Sequence, residues 1–138
     1  MILVDSNVLI DIIDEDSQWF DWSFANLENA ARLGRVFVNA PVVAEVAPRF
    51  GGLKPFLDAI SVMLVHAEPL SIEAAYLAGT AFQAYREKKQ AGQPKSILAD
   101  FLIGGHAQAA QASILTRDPR FYRSYFPEVQ LITPESST

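Results

Sequence analysis

The feature that most constrains this chain is a recurring pair: a short, nearly all-apolar run followed by a segment with helical spacing. The apolar runs are Ile2–Val4, Val36–Val38, Val62–Val65, Ser113–Leu115 and Val129–Ile132. None alternates apolar with polar residues, the pattern of a strand covered on both faces. Helices are expected between them. Asn7–Ile13 continues from the first strand, and Ser17–Leu33 carries Phe20, Phe24, Leu27 and Ala31 at helical spacing before Gly34. Pro41 suits the first turn of a helix ending near Ala47, and Leu53–Ile60 is a further short one. Ser71 caps a long helix with Ile72, Ala75, Tyr76, Gly79 and Phe82 on one stripe. After a loop at Gln90–Lys95, Ile97–Ala112 is apolar almost all round, and Pro119–Tyr125 is short. Strands alternating with helices predict one α/β domain over residues 1–138, with a mostly parallel central sheet of four to five strands flanked by helices. The extreme C-terminus, 133–138, is expected to fray.

Composition excludes several classes. Half of the 138 residues are hydrophobic and a fifth are charged, which is globular rather than disordered. The apolar runs are too short to span a membrane, and no basic flank marks a signal peptide. There are no cysteines, so thiol catalysis, thiolate zinc and disulfide scaffolds are out, and a reducing cytoplasm fits. The net charge of −5 means that any nucleic-acid partner must be met by local basic patches or by metal ions.

In a parallel α/β sheet, sites form beyond the carboxyl ends of the strands. Four carboxylates stand at or near such positions: Asp5 after the first strand, Glu45 within FVNAPVVAEVAP, Asp100 within SILADFLIGGHA, and Asp118 within LTRD. Each has an ordinary reading alone. Asp5 and Asp118 suit caps, Glu45 an exposed helix position, and Asp100 an acid facing a helix dipole. Together they read differently. A buried charge must be paired, bind a metal or take up a proton. Lys and Arg are missing from three of the four local segments. A hard divalent cation, Mg²⁺ or Mn²⁺, relieves the repulsion and suits phosphodiester hydrolysis. His66 and His106 lack ligand spacing and read as structural. No nucleotide-loop motif and no nucleophile elbow is present.

With those residues in view, the chain resembles the PIN-domain ribonucleases, and most of all the VapC toxins of type II toxin–antitoxin systems. The resemblance spans essentially the whole chain and rests on VDSNVLID, VVAEV, ADFLIGGHA and LTRDPRF. It implies Asp5, Glu45, Asp100 and Asp118 as the catalytic acids. Asp5, Asp100 and Asp118 would be the metal ligands, and Glu45 would bind a second metal or orient the attacking water. Asn7 and Thr116 would hydrogen-bond the acids or the substrate, with cap and turn chemistry as the alternative. It further implies an RNA substrate, a homodimer, an antitoxin that blocks the site, and no membrane. Ala44 replaces a frequent Ser, and Gly104-Gly105 stands where the family's helix is commonly Ala-rich, a cost of about 1 kcal/mol each that close backbone packing would offset.

Basic residues gather in REKKQAGQPK and RDPRFYR. Lys95, Arg117 and Arg120, with Arg86, Lys88, Lys89 and Arg123, are candidates for a phosphate path or for ordinary solvated surface. Tyr122, between Phe121 and Tyr125, reads as core or as a base-stacking residue. Trp19 and Trp22 suit either an interface or a broadly buried helix. A scaffold PIN domain would be expected to lack one or more acids. A phosphoacceptor receiver would want adjacent acids after the first strand and a late Lys. Neither fits.

Overall fold

The computed structural model describes residues 1–88 and 98–134. Five strands form one sheet in the order β3-β2-β1-β4-β5, and every pairing is parallel. They are β1 (Ile2–Val4), β2 (Val36–Val38), β3 (His66–Ala67), β4 (Ser113–Leu115) and β5 (Leu131–Ile132). The helices are α1 (Ser6–Ile13), α2 (Phe20–Leu33), α3 (Ala40–Val46), α4 (Leu53–Val62), α5 (Ile72–Lys88), α6 (Leu98–Ala110) and α7 (Arg120–Tyr125). A 3₁₀ turn, Ala47–Arg49, extends α3. The chain runs outward from β1 in one direction, then returns to β1's other side with β4. The sheet's topological switch point therefore lies between β1 and β4, the position where such sheets open a crevice.

The apolar runs become strands because both of their faces are covered. Leu3, Val4, Phe37, Val38, Ile114 and Leu115 are completely buried, under Phe101, Ile103 and Phe126 among others. Caps set the helix starts. Asn39 accepts from the Val42 amide and Ser71 Oγ from the Ala74 amide. Asp16 Oδ2 accepts from the amides of Gln18 and Trp19, so residues 17–19 form a turn and α2 begins at Phe20, later than its apolar spacing suggested.

Two expectations are corrected. The run Val62–Val65 is not a strand. The helix α4 reaches Val62, and the strand follows at His66–Ala67. Leu64 turns left-handed (φ 61°), Leu64 N–H donates to Ser61 O, and Val65 N–H donates to Ile60 O. That is a Schellman ending, here without glycine. The stripe expected on α5 is only partly inward: Phe82 packs on Phe101 at 5.1 Å between centroids, but Ile72 and Tyr76 are 87% and 72% exposed. The face that packs is Ala74, Ala78 and Tyr85. The reason lies opposite, on α6. A Cβ on Gly105 would stand 2.6 Å from Ala74 O and 2.8 Å from Ala78 N, so only small residues fit there. Gly104 makes the same demand of the Phe126 ring. Close packing at both glycines thus offsets their cost to the helix.

The loop Gln90–Lys95 and the residues 135–138 lie outside the described residues. Thr133, by contrast, is buried. No helix among the described residues is long and apolar enough to cross a membrane.

Candidate active site

The site is built at the switch point. Asp5 leaves β1 with its amide donating to Leu115 O of β4, so its backbone is fixed by sheet pairing before its side chain does anything. It is buried, with 6% of its surface exposed, and caps α1. Its Oδ1 accepts from the Ser6 amide at 2.8 Å. Its Oδ2 accepts from Thr116 Oγ1 and from the Tyr122 hydroxyl, each at 2.9 Å.

Thr116 follows β4, and its hydroxyl is fully committed. It accepts from Asn7 Nδ2 (3.2 Å) and from the Asp118 amide (3.1 Å), which leaves its one proton for Asp5. Asn7 Oδ1 in turn accepts from the Arg117 amide. Asn7 and Thr116 therefore tie the loop carrying Asp118 to the start of α1.

Glu45 arrives from the last turn of α3. Ser6 Oγ donates to Glu45 Oε1 at 3.0 Å and lies 3.5 Å from Asp5 Oδ1, which links the two acids through one hydroxyl. Asp100 sits in the first turn of α6, half-buried, and Asp118 is exposed on the loop after β4.

Electrostatics join all four. Burial raises the proton affinity of Asp5, its three hydrogen-bond donors oppose that, and the charge of Asp118 adds to it. Glu45 is raised chiefly by burial, against Ser6's hydrogen bond and with the charge of Asp5. The Tyr122 phenol is pushed well above its usual range, first by burial, then by the charges of Asp5, Asp100 and Glu45. It is a neutral donor at any physiological pH. Asp5, Glu45 and Asp118 are in no ion pair among the described residues.

Among the described residues, no three of the His, Asp and Glu side chains form a ready cage for a cation. The donor chemistry still fits a hard divalent ion. Mg²⁺ commonly takes one or two carboxylates and keeps its waters, so a cage is not required. The carboxylate oxygens of Asp5, Glu45 and Asp118, in no ion pair among the described residues, are that donor type.

Three side chains close to the acids escaped the sequence reading. Ser6 and Tyr122 touch Asp5 directly. The only hint of Tyr122's role was a hydroxyl inside an otherwise aromatic run. Asp11 was missed although it sits in an apolar run, the criterion that singled out Asp100. It is 1% exposed and accepts a two-pronged contact from Arg117 (2.7 and 3.0 Å) and a hydrogen bond from Ser23 (2.7 Å). The Arg117 guanidinium also lies over the Trp19 ring at 5.4 Å, and its proton affinity is raised by Asp11. Arg117 is thus anchored by Asp11 and Trp19 while its side chain stays 30% exposed. Arg120 is exposed, as are Arg86 and Lys88, whereas Lys89 and Lys95 lie outside the described residues. Trp19 and Trp22 meet edge-to-face and are half-buried within the chain itself. His106 is buried, with Nδ1 3.1 Å from Asn39 Nδ2, and burial lowers its proton affinity; His66 lies exposed in β3.

A five-stranded parallel α/β sheet with acids gathered at its switch point defines the class of domain. Residues 2–127 match the PIN domain family, and the chain belongs to that family. Solved structures agree on the fold. VapBC2 from Rickettsia felis, bound to a DNA fragment from its promoter, aligns with TM-score 0.71 and 21% identity over 96% of this chain and 98% of that one. FitAcB from Neisseria gonorrhoeae gives 0.68 and 19% over 98% and 99%. VapC20 from Mycobacterium tuberculosis, a toxin that cleaves the Sarcin-Ricin loop, gives 0.60 and 15% over 94% and 99%. No curated protein sequence matches the chain significantly.

Proposed function

We propose that the protein is a divalent-metal-dependent endoribonuclease and serves as the toxin of a type II toxin–antitoxin pair. The observation that carries this reading is the acidic crevice. Asp5 and Glu45 are bridged by Ser6, Asp118 acts on Asp5, and Asp100 acts on the Tyr122 phenol that touches Asp5. The complexes and the RNA-cleaving toxin among the structural neighbours support the toxin assignment and an antitoxin partner.

Asp5, Asp100 and Asp118 would hold Mg²⁺ or Mn²⁺. When bound, the cation supplies positive charge beside the scissile phosphate and acidifies a water. The chain's own groups do the rest. Thr116 and Tyr122 hold Asp5 in one orientation. Glu45, whose proton affinity burial raises, is suited to take the proton of the attacking water. Arg120 and the exposed end of α5 offer phosphate contacts. A homodimer in the cytoplasm completes the proposal.

The test is cleavage of RNA by the purified protein with Mg²⁺ or Mn²⁺ and with EDTA. Metal-dependent cleavage that Asp100→Asn abolishes is expected. Undiminished cleavage by that variant would overturn the mechanism, and cleavage in EDTA would overturn the metal.

A further inference from the structure

The hydrogen bonds on Asp5 divide its two oxygens unequally. A carboxylate oxygen offers about two acceptor positions. On Oδ2 both are taken, by Thr116 Oγ1 and Tyr122 OH at 2.9 Å each. On Oδ1 the Ser6 amide takes one at 2.8 Å, and Ser6 Oγ, 3.5 Å away, gives its proton to Glu45 instead. One acceptor position on Oδ1 therefore remains for a cation.

Neither donor to Oδ2 is free to leave. Thr116 is held by Asn7 and the Asp118 amide. Tyr122 is 2% exposed, and its ring packs edge-on against Phe121 at 5.2 Å between centroids. Swinging the phenol away would break that packing and strand a buried hydroxyl.

We propose that Tyr122 is a specificity-determining residue: by closing Oδ2 of Asp5 it restricts that carboxylate to one-oxygen coordination and so biases the site against Ca²⁺. The inference rests on the metal-site reading above. Ca²⁺ takes six to eight oxygens at longer distances and readily accepts both oxygens of one carboxylate. Mg²⁺ takes a tight octahedron with several waters and needs only one oxygen from each acid. A residue that blocks the second oxygen removes ligands from Ca²⁺ and costs Mg²⁺ little.

Tyr122→Phe keeps the ring and deletes only the hydroxyl, which frees one acceptor position on Oδ2. The experiment is calorimetric titration of the full chain, wild type and Tyr122→Phe, with MgCl₂, MnCl₂ and CaCl₂ separately and without RNA. The expected result is a Ca²⁺-to-Mg²⁺ affinity ratio about two- to tenfold higher in the variant, the worth of one net hydrogen bond. Infrared spectra of the Ca²⁺-loaded variant should show a narrower gap between the two carboxylate stretches, the mark of two-oxygen coordination. A merely structural role for Tyr122 would weaken all three ions alike. An unchanged ratio, or one that falls, overturns the proposal and leaves the metal site standing. A wild type that binds none of the ions overturns both. If Tyr122→Phe does not fold, Thr116→Val removes the other donor to Oδ2 and must raise the same ratio.

Discussion

Replacing Gly105 by Ala should destabilise the protein even though it improves a helix. Gly105 lies in the interior of α6. In an isolated helix the change to Ala would gain about 1 kcal/mol. Here the new Cβ would stand 2.6 Å from Ala74 O and 2.8 Å from Ala78 N, where ordinary contact begins at 3.4 Å. The shortfall is 3.4 − 2.6 = 0.8 Å. Both obstacles are backbone atoms of α5, so no side chain can rotate away, and the two helices must separate. Overpacking of this kind costs about 1–3 kcal/mol, and a backbone obstacle places it at the top of that range. The net effect is a loss of about 2 kcal/mol. Unfolding entropy of about 2.1 cal/mol/K per residue over 138 residues converts this to a Tm lower by about 7 °C.

Gly79 supplies the control. It lies in the interior of α5, and a Cβ there would meet nothing within 4 Å. Gly79→Ala should therefore raise stability by about 1 kcal/mol and Tm by about 3 °C. Urea titration and calorimetry on both variants decide the matter. If Gly105→Ala were as stable as the wild type, or if both variants moved the same way, the close approach of α5 to α6 would not be what the glycine is for. The consequence reaches the site, because α6 also carries Asp100. A shift of order 1 Å in a reacting group can cost about 100-fold in rate, so Gly105→Ala should lose RNA cleavage in excess of its loss of folded protein.

Two further predictions concern the acids. Glu45 has a folded-state proton affinity above that of the unfolded chain, so its ionisation opposes folding: its stabilising share is complete below the ordinary Glu range and is lost as pH rises through the elevated value. In EDTA, Glu45→Gln should thus be more stable than the wild type near pH 8 and equal to it near pH 4, measured as Tm against pH; a difference that grew toward acid would refute the sign. Asp11→Ala should cost about 2–3 kcal/mol in urea titration, below the usual figure for a buried pair because Arg117 keeps 30% exposure. Asp58→Ala, which breaks a pair exposed at 85% and 65%, should change stability little, and equal losses from the two would refute the distinction.

How much of this could be read from the sequence depends on whether the signal was local. The strands β1, β2 and β4 were legible because short, mostly apolar runs between helical segments have few other uses. The same argument failed at Val62–Val65, since a short apolar run cannot distinguish the end of a helix from a strand. There Leu64 accepts a left-handed backbone that the sequence would have assigned to glycine. The α5 face was misjudged for a related reason. Hydrophobicity pointed to Ile72 and Tyr76, while close packing on Gly105 selected Ala74 and Ala78, whose value is their small size. Asp5, Glu45 and Asp100 stood out as charges in apolar surroundings, and Asp118 by its place just after a strand. Ser6 and Tyr122 did not, because their role depends on where distant elements bring their hydroxyls, 39 and 117 residues from the acids they contact.

The placement of charge bears on how an acidic chain can act on a polyanion. Among the described residues, five cations pair with structural acids: Arg117 with Asp11, Arg49 with Asp14, Arg35 with Glu68, Arg32 with Glu28 and Lys54 with Asp58. None of these pairs serves Asp5, Glu45 or Asp118. Those acids keep their negative charge, and at Asp5, which is buried, solvent screens it poorly. A phosphate approaching them would be repelled, on a protein whose net charge is −5 with every Lys and Arg counted. Neutrality at the crevice must then come from solution, and a divalent ion delivers it with the fewest particles. On this argument RNA binding, like the proposed cleavage, should require the divalent ion. A filter-binding assay on Asp100→Asn, with and without Mg²⁺ at constant ionic strength, reads the requirement apart from catalysis. Equal RNA affinity for wild type in Mg²⁺ and in EDTA would show that the basic surface suffices and that the crevice acids do not govern access.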